Sequence, residues 1–136
     1  MQTMSLARQI DLVFRELKDE LSCLDSGTVF IQIRNNSIGK FGIRHNPFEG
    51  NEGIVQPAKG GLNEHQWHCF KDMALKSLNY KKFWTHGEIL YDFAVLQNRL
   101  RMSVQFESNY ILSYNHAVYE AFFRICPQFA HMVRLK

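Results

Sequence analysis

Between residues 6 and 24 the apolar side chains Leu6, Ile10, Val13, Phe14, Leu17, Leu21 and Leu24 recur at spacings of three and four, with Arg8, Asp11, Arg15, Lys18 and Asp19 between them. A period near 3.6 predicts an amphipathic helix that buries one stripe and wets the other. Asp11–Arg15 and Arg15–Asp19 stand four apart, where opposite charges add a few tenths of a kcal/mol. Ser26-Gly27 supplies a stop, so this helix is expected to run to about residue 24. The period then falls to two. Val29, Ile31 and Ile33 alternate with Thr28, Gln32 and Arg34, the pattern of a half-buried strand. Asn35-Asn36-Ser37 tolerates left-handed backbone and leads into Lys40-Phe41-Gly42-Ile43-Arg44, which predicts a hairpin.

From Asn46 to Gly61 the pattern lapses: Pro47, Gly50, Gly53, Pro57, Gly60 and Gly61 mark a long loop, with one short strand expected at Gly53-Ile54-Val55-Gln56. A loop of this length in a small domain is usually functional or mobile. Beyond it Trp67, Phe70, Met73, Ala74 and Leu78 share a helical face, with Asn63 as N-cap. Residues 88–96 carry two apolar rows, Ile89, Tyr91, Phe93 and Val95 against Leu90, Ala94 and Leu96, which predicts a central strand buried on both faces. Gln97-Asn98 is a turn, after which Leu100, Met102, Val104 and Phe106 alternate with Arg99, Arg101, Ser103 and Gln105, giving a strand with one wet, basic face. A last helix is expected from Asn115, with the stripe Val118, Ala121, Phe122 and Ile125 and an end at Pro127. The order α-β-β-loop-α-β-β-α predicts a single α+β domain of antiparallel hairpins packed with helices, with no internal repeat. That order is broadly similar to the order of elements in small secretion chaperones and related partner-binding domains. The likeness covers element order only, without a shared motif, and those chaperones are typically acidic.

Composition narrows the function classes. The chain has 136 residues, 46% of them apolar and 21% charged, enough to bury a core and to exclude a disordered tail. Sixteen Lys and Arg against thirteen Asp and Glu leave a charge of +3, which permits nucleic acid without specifying it. Cys23, Cys69 and Cys126 form an odd, widely spaced set, unlike a disulfide framework and in keeping with a reduced, cytoplasmic chain. Charged residues from Arg8 to Lys18 interrupt the N-terminal apolar run, so no membrane partner is expected.

Candidate chemistry is sparse. His65, His68, Cys69 and Asp72 fall on one side of the second helix, and imidazole with thiolate suits zinc. The polar side of any amphipathic helix collects such residues, and a structural zinc site takes four ligands. Gly39-Lys40-Phe41-Gly42 has the spacing of a nucleic-acid backbone clamp, but that clamp joins two helices and these glycines follow a strand. Lys81, Lys82, Arg99 and Arg101 with Tyr80, Phe83 and Trp84 offer charge to phosphates and rings to bases, as single-strand binding requires. No nucleophile elbow or phosphate loop occurs, nothing in the local sequence sets Cys69 or Cys126 beside a base, and neither a catalytic residue nor a cofactor is assigned.

The reading that remains is a small partner-binding protein, an adaptor, inhibitor or regulatory module, whose partner is another protein. Its contacts are expected from the loop residues Phe48, Glu49, Glu52, Ile54 and Lys59 and from the sheet residues Arg99 and Arg101. Nucleic-acid binding through Lys81, Lys82 and Trp84 is the first alternative, and a zinc module on His65, His68 and Cys69 the second. The second apolar row of the 88–96 strand requires a cover, which a helix, the long loop or another subunit can supply, and a homodimer is expected because three helices do not suffice to cover everything.

Overall fold

The computed structural model describes residues 4–47, 50–55, 60–110 and 112. Helix α1 spans Leu6–Glu16 and a short α2 spans Lys18–Leu21, followed by the hairpin β1 (Ser26–Arg34) and β2 (Ser37–His45). Two-residue strands β3 (Gly50–Asn51) and β4 (Ile54–Val55) pair within the loop. Helix α3 (Glu64–Ser77), a 3-10 turn (Leu78–Tyr80) and the hairpin β5 (His86–Leu96) and β6 (Arg99–Ser108) follow. The α+β class and the order α-β-β-α-β-β are as the sequence predicts. The expected last helix at 115–127 lies outside the described residues.

Local chemistry accounts for the element ends. Ser5 caps α1 by accepting from the Arg8 N–H, and Asn63 caps α3 in a reciprocal box with Gln66. The first helix stops short of residue 24: α1 gives way at Leu17, α2 ends at Leu21, and three-residue bonds from the Cys23 and Leu24 N–H groups close the turn. Ser26 is then released to begin β1. Both hairpins turn on two residues of positive φ, Asn35 (51°) with Asn36 (61°) and Gln97 (51°) with Asn98 (61°), whose twist matches that of the flanking strands.

All four long strands form one antiparallel sheet in the order β2-β1-β5-β6. β1 and β5 are paired along their length with Phe30 opposite Leu90, and α1 packs over β2 while α3 packs over β6. The chain therefore holds one αββ unit twice, a repeat the sequence does not announce. The reciprocal bonds are its signature: the Asn35 N–H donates to the Thr85 carbonyl, and the Val95 N–H donates to the Asp25 carbonyl, each carbonyl sitting just before a central strand. Gly27 and Gly87, the second residues of β1 and β5, hold matching buried positions under aromatic rings, of Phe93 and Trp84.

The core lies between the helices and one face of the sheet. Val29, Ile31 and Ile33 of β1 and Ile89, Tyr91 and Phe93 of β5 meet Ile10, Val13, Phe14, Trp67, Phe70 and Ala74. The rings of Phe14 and Phe70 are 4.9 Å apart edge to face, and Phe70 lies 5.1 Å from Phe93. Polar groups within this layer are satisfied. Trp67 Nε1 donates to the Phe14 carbonyl at 2.9 Å, and the Tyr91 hydroxyl shares a bond with Ser77 and reaches the Ala74 carbonyl. Burial pushes the Tyr91 phenol up to about 12, against the lowering effect of Ser77. Lys71 bridges α3 to Asp11 of α1 at 3.0 Å, and its hydrogen bond holds that carboxyl below the ordinary range.

β5 is central, yet only one of its faces is buried. Leu90 and Ala94 are partly exposed, Asp92 is exposed, and Leu96 is 52% exposed. The second apolar row is interrupted by Glu88 and Asp92, so this face is mixed rather than a second core.

A candidate partner-binding face

On the side of the sheet away from the helices, alternation brings one residue from each strand into successive rows. Arg44, Thr28, Asp92 and Ser103 form one row, and Gly42, Phe30, Leu90 and Gln105 the next. Among the described residues no element covers this side. Its centre is apolar, with Phe30 facing Leu90. Gly42 opposite Phe30 gives the ring room, since a Cβ there would stand 2.9 Å from the Phe30 Cζ. Arg44 and Lys40 lie over the same ring, at 5.1 and 5.9 Å from its centroid.

Charge on this face is unbalanced in a specific way. Glu88 is held by Arg44 at 3.3 Å, and Asp92 accepts from the Thr28 hydroxyl. Arg34, Arg99 and Arg101, all exposed, make no ion pair among the described residues; of the carboxylates of the face Asp92 and Glu107 make none either, though Asp92 accepts from Thr28. Glu88 and Glu107 are cross-strand neighbours, so Arg44 offsets the repulsion between them. A cleft of about 440 Å³ opens at one end of the face, lined by Gln32, Arg34, Gly39, Lys40, His86, Glu88 and Asn109 among others. Arg34 and Lys40 thus join the sheet residues Arg99 and Arg101 on one surface. The sequence put Arg34 in the polar row of β1, but the pairing of β1 with β5 that unites the two hairpins has no local signal.

The loop residues stand at the opposite end from the cleft. The Asn46 side chain donates to Ser26 Oγ at 2.8 Å, Ser26 is in register with Ala94, and Ala94 with Arg101. The root of the loop and Arg101 therefore belong to one row of the sheet, about three strand spacings or 14 Å apart. Both roots are pinned to the same turn of helix: His45 Nε2 lies 2.7 Å from Glu20 Oε2, the Leu62 N–H donates to the Leu21 carbonyl, and Gly61 packs directly on the Ser22 backbone. The two ends of the loop are thereby held close together on one part of the surface. Glu52 is exposed at the β3–β4 turn with φ 51°, and Ile54 begins β4. Phe48, Glu49 and Lys59 lie outside the described residues.

Of the residues of the alternative readings, Arg99 and Arg101 belong to this face and the others lie apart from it. Trp84 is 2% exposed, packs edge to face on Phe106 and donates Nε1 to the Lys81 carbonyl, so it offers no face to a base. Lys81 lies over its ring at 4.8 Å, while Lys82, Tyr80 and Phe83 are exposed. On α3 the proposed ligands do not converge: Cys69 Sγ lies 3.5 Å from His65 Nε2, while His68 Nε2 turns, at 3.3 Å, to Oε1 of Glu64, a residue outside the proposed set. Asp72 is exposed, and among the described residues no group of three or more His, Cys, Asp or Glu is gathered closely enough to hold a metal ion. The Cys69–His65 contact gives that thiol a basic neighbour, one turn away on the same helix. The pair sits on the surface of the helix, with His65 exposed and Cys69 half-buried.

Between α3 and β6 runs a second, mostly apolar groove of about 340 Å³, bordered by Met73, Tyr80, Met102, Val104 and Phe106. Among the described residues no helix is long and apolar enough to cross a membrane. No family model matches the chain, and no curated protein or solved structure matches it either.

Proposed function

We propose that this chain acts by binding another protein, which it grips across the uncovered sheet face and the loop between residues 46 and 61. The supporting observation is the set Arg34, Arg99 and Arg101, which have no carboxylate partner among the described residues, around the apolar pair Phe30 and Leu90. An acidic segment with an apolar side chain at its middle complements that arrangement. The same face carries Glu88, Asp92 and Glu107, which repel a phosphate backbone, and Trp84 is withdrawn from stacking. A protein partner fits these features better than nucleic acid. The thiols of Cys23 and Cys69, unpaired among the described residues, fit a reducing compartment such as the cytoplasm.

Replacing residues 48–59 with a short Gly/Ser linker is expected to leave the melting temperature within a few degrees, because both roots are pinned on α2 and closure entropy varies slowly with length. Partner affinity is expected to fall at least about tenfold. Arg99→Glu with Arg101→Glu is expected to do the same at the sheet end of the site. Collapse of the fold on loop replacement shows that the segment is core structure, and unchanged affinity places the contact elsewhere. A salt titration with a single-stranded oligonucleotide separates the readings: affinity that falls steeply with log[salt] supports the nucleic-acid alternative.

A further inference from the structure

The two edges of the sheet are built differently. β2 carries Gly39 and Gly42, its register with β1 is interrupted between Ile31 and Ile33, and its Ile38 N–H is taken by Gln9 Oε1 at 2.7 Å. Such features discourage another strand from adding on. β6 has none of them. It runs ten residues without glycine or proline, in unbroken register with β5 from Arg99 to Ser108. Among the described residues its outer side pairs with nothing.

Which backbone groups point outward follows from the ends of the hairpin. The two-residue turn makes Leu96–Arg99 a hydrogen-bonded pair, and at the far end the Asn109 N–H donates to the His86 carbonyl. Odd-numbered residues of β6 therefore spend their N–H and C=O groups on β5. Those of Leu100, Met102, Val104 and Phe106 face outward.

The geometry points to a second copy of this chain as the partner of that edge, with the two β6 strands antiparallel about a twofold axis through Ser103. This inference uses the edge of the sheet together with Arg99 and Glu107 of the open side, and it leaves Arg34 and Arg101 of the proposed protein-binding face without a carboxylate opposite them. Centred on Ser103, the pairing sets Met102 opposite Val104 and Leu100 opposite Phe106 on the helix side. On the open side it sets Arg101 opposite Gln105 and Arg99 opposite Glu107. Arg99 and Glu107 make no ion pair in their own chain among the described residues, and the twofold gives each the other, twice. Neighbouring registers are poorer. Centring on Arg101 sets that residue against itself, and centring on Val104 sets Leu100 against Ser108. The favoured register uses the outward residues as hydrogen-bonded pairs, as the geometry of β6 requires. It also brings the second copy's apolar row one strand spacing, about 4.8 Å, beyond β6, so that it lengthens and covers the groove between α3 and β6 where Tyr80 is 86% exposed.

Light scattering on the full chain at high micromolar concentration is expected to give the mass of a dimer. Arg99→Glu and Glu107→Arg, each on the surface, should separately weaken it at least about tenfold, and the double variant should return to within about threefold of the original. In a chain whose Cys23, Cys69 and Cys126 are serine, Ser103→Cys should form a disulfide-linked dimer on mild oxidation, because a non-hydrogen-bonded self-pair holds its Cα atoms about 4.5 Å apart. Gln105→Cys, four residues from its own copy in this register, should not. A monomer mass overturns the proposal. So does a dimer that resists both charge reversals, or one that crosslinks at Gln105→Cys and not at Ser103→Cys.

Discussion

Phe70→Ala is expected to lower the stability of the domain by roughly 3–5 kcal/mol, the range for emptying a buried aromatic site. Phe70 is 0% exposed and touches the rings of Phe14, Tyr91 and Phe93, so it ties α1, α3 and β5 together. Its neighbours cannot close the void easily. Tyr91 is held by Ser77 and the Ala74 carbonyl, and Phe93 is fixed over Gly27. Against a total stability of about 5–15 kcal/mol for a domain of this kind, the loss is a large fraction. Urea unfolding followed by tryptophan fluorescence measures it. A change below about 1 kcal/mol contradicts the packing described here.

Gly87→Ala is the second large effect, and its cause is different. A Cβ at residue 87 would stand 2.3 Å from the Glu107 carbonyl oxygen and 2.6 Å from the Trp84 ring. The first neighbour is backbone of the adjacent strand and the second is a buried side chain, so neither yields without shifting the β5–β6 pairing or expelling Trp84. Overpacking of this sort costs typically about 1–3 kcal/mol and more where the backbone must move, so about 3 kcal/mol is expected. Gly39→Ala is the control: nothing lies within 4 Å of its Cβ position, and a change within about 0.5 kcal/mol is expected. Equal effects at the two glycines contradict the assignment of Gly87 as a site of close approach.

The sequence carries the elements and not their assembly. Alternation in Val29-Phe30-Ile31-Gln32-Ile33 and in Arg99 to Phe106 shows two strands, Asn63 shows the start of α3, and the pairs Asn35-Asn36 and Gln97-Asn98 show the turns, because each is set by neighbours in the chain. The pairing of β1 with β5 joins residues about sixty positions apart, and no local period encodes it. The repeat of the αββ unit is hidden for a related reason: Phe30 answers to Leu90, Ile31 to Tyr91 and Ile33 to Phe93, so the two halves keep the pattern of burial and change the residues. Gly27 and Gly87 are what they share in kind, and a glycine inside a strand is a signal of close approach that can be read in advance. The candidate site was legible in part. Arg99 and Arg101 sit on the wet face as their alternation requires, whereas Arg34 and Lys40 join them only through the strand order. The second row of β5 misleads, because Glu88 and Asp92 flank Leu90 in it and keep that face open.

The central claim, that the uncovered face and its loop meet another protein, is tested most directly by photo-crosslinking in cells that make the chain. A benzophenone amino acid is placed in turn at Gln32 on the open face, at Glu52 in the loop and at Asp72 on the exposed side of α3, all three exposed in the structure. The account predicts one and the same protein adduct from Gln32 and Glu52, lost when Arg99→Glu and Arg101→Glu are introduced, and none from Asp72. An adduct from Asp72 alone, a nucleic-acid adduct from Gln32, or a protein adduct indifferent to the two arginines contradicts it.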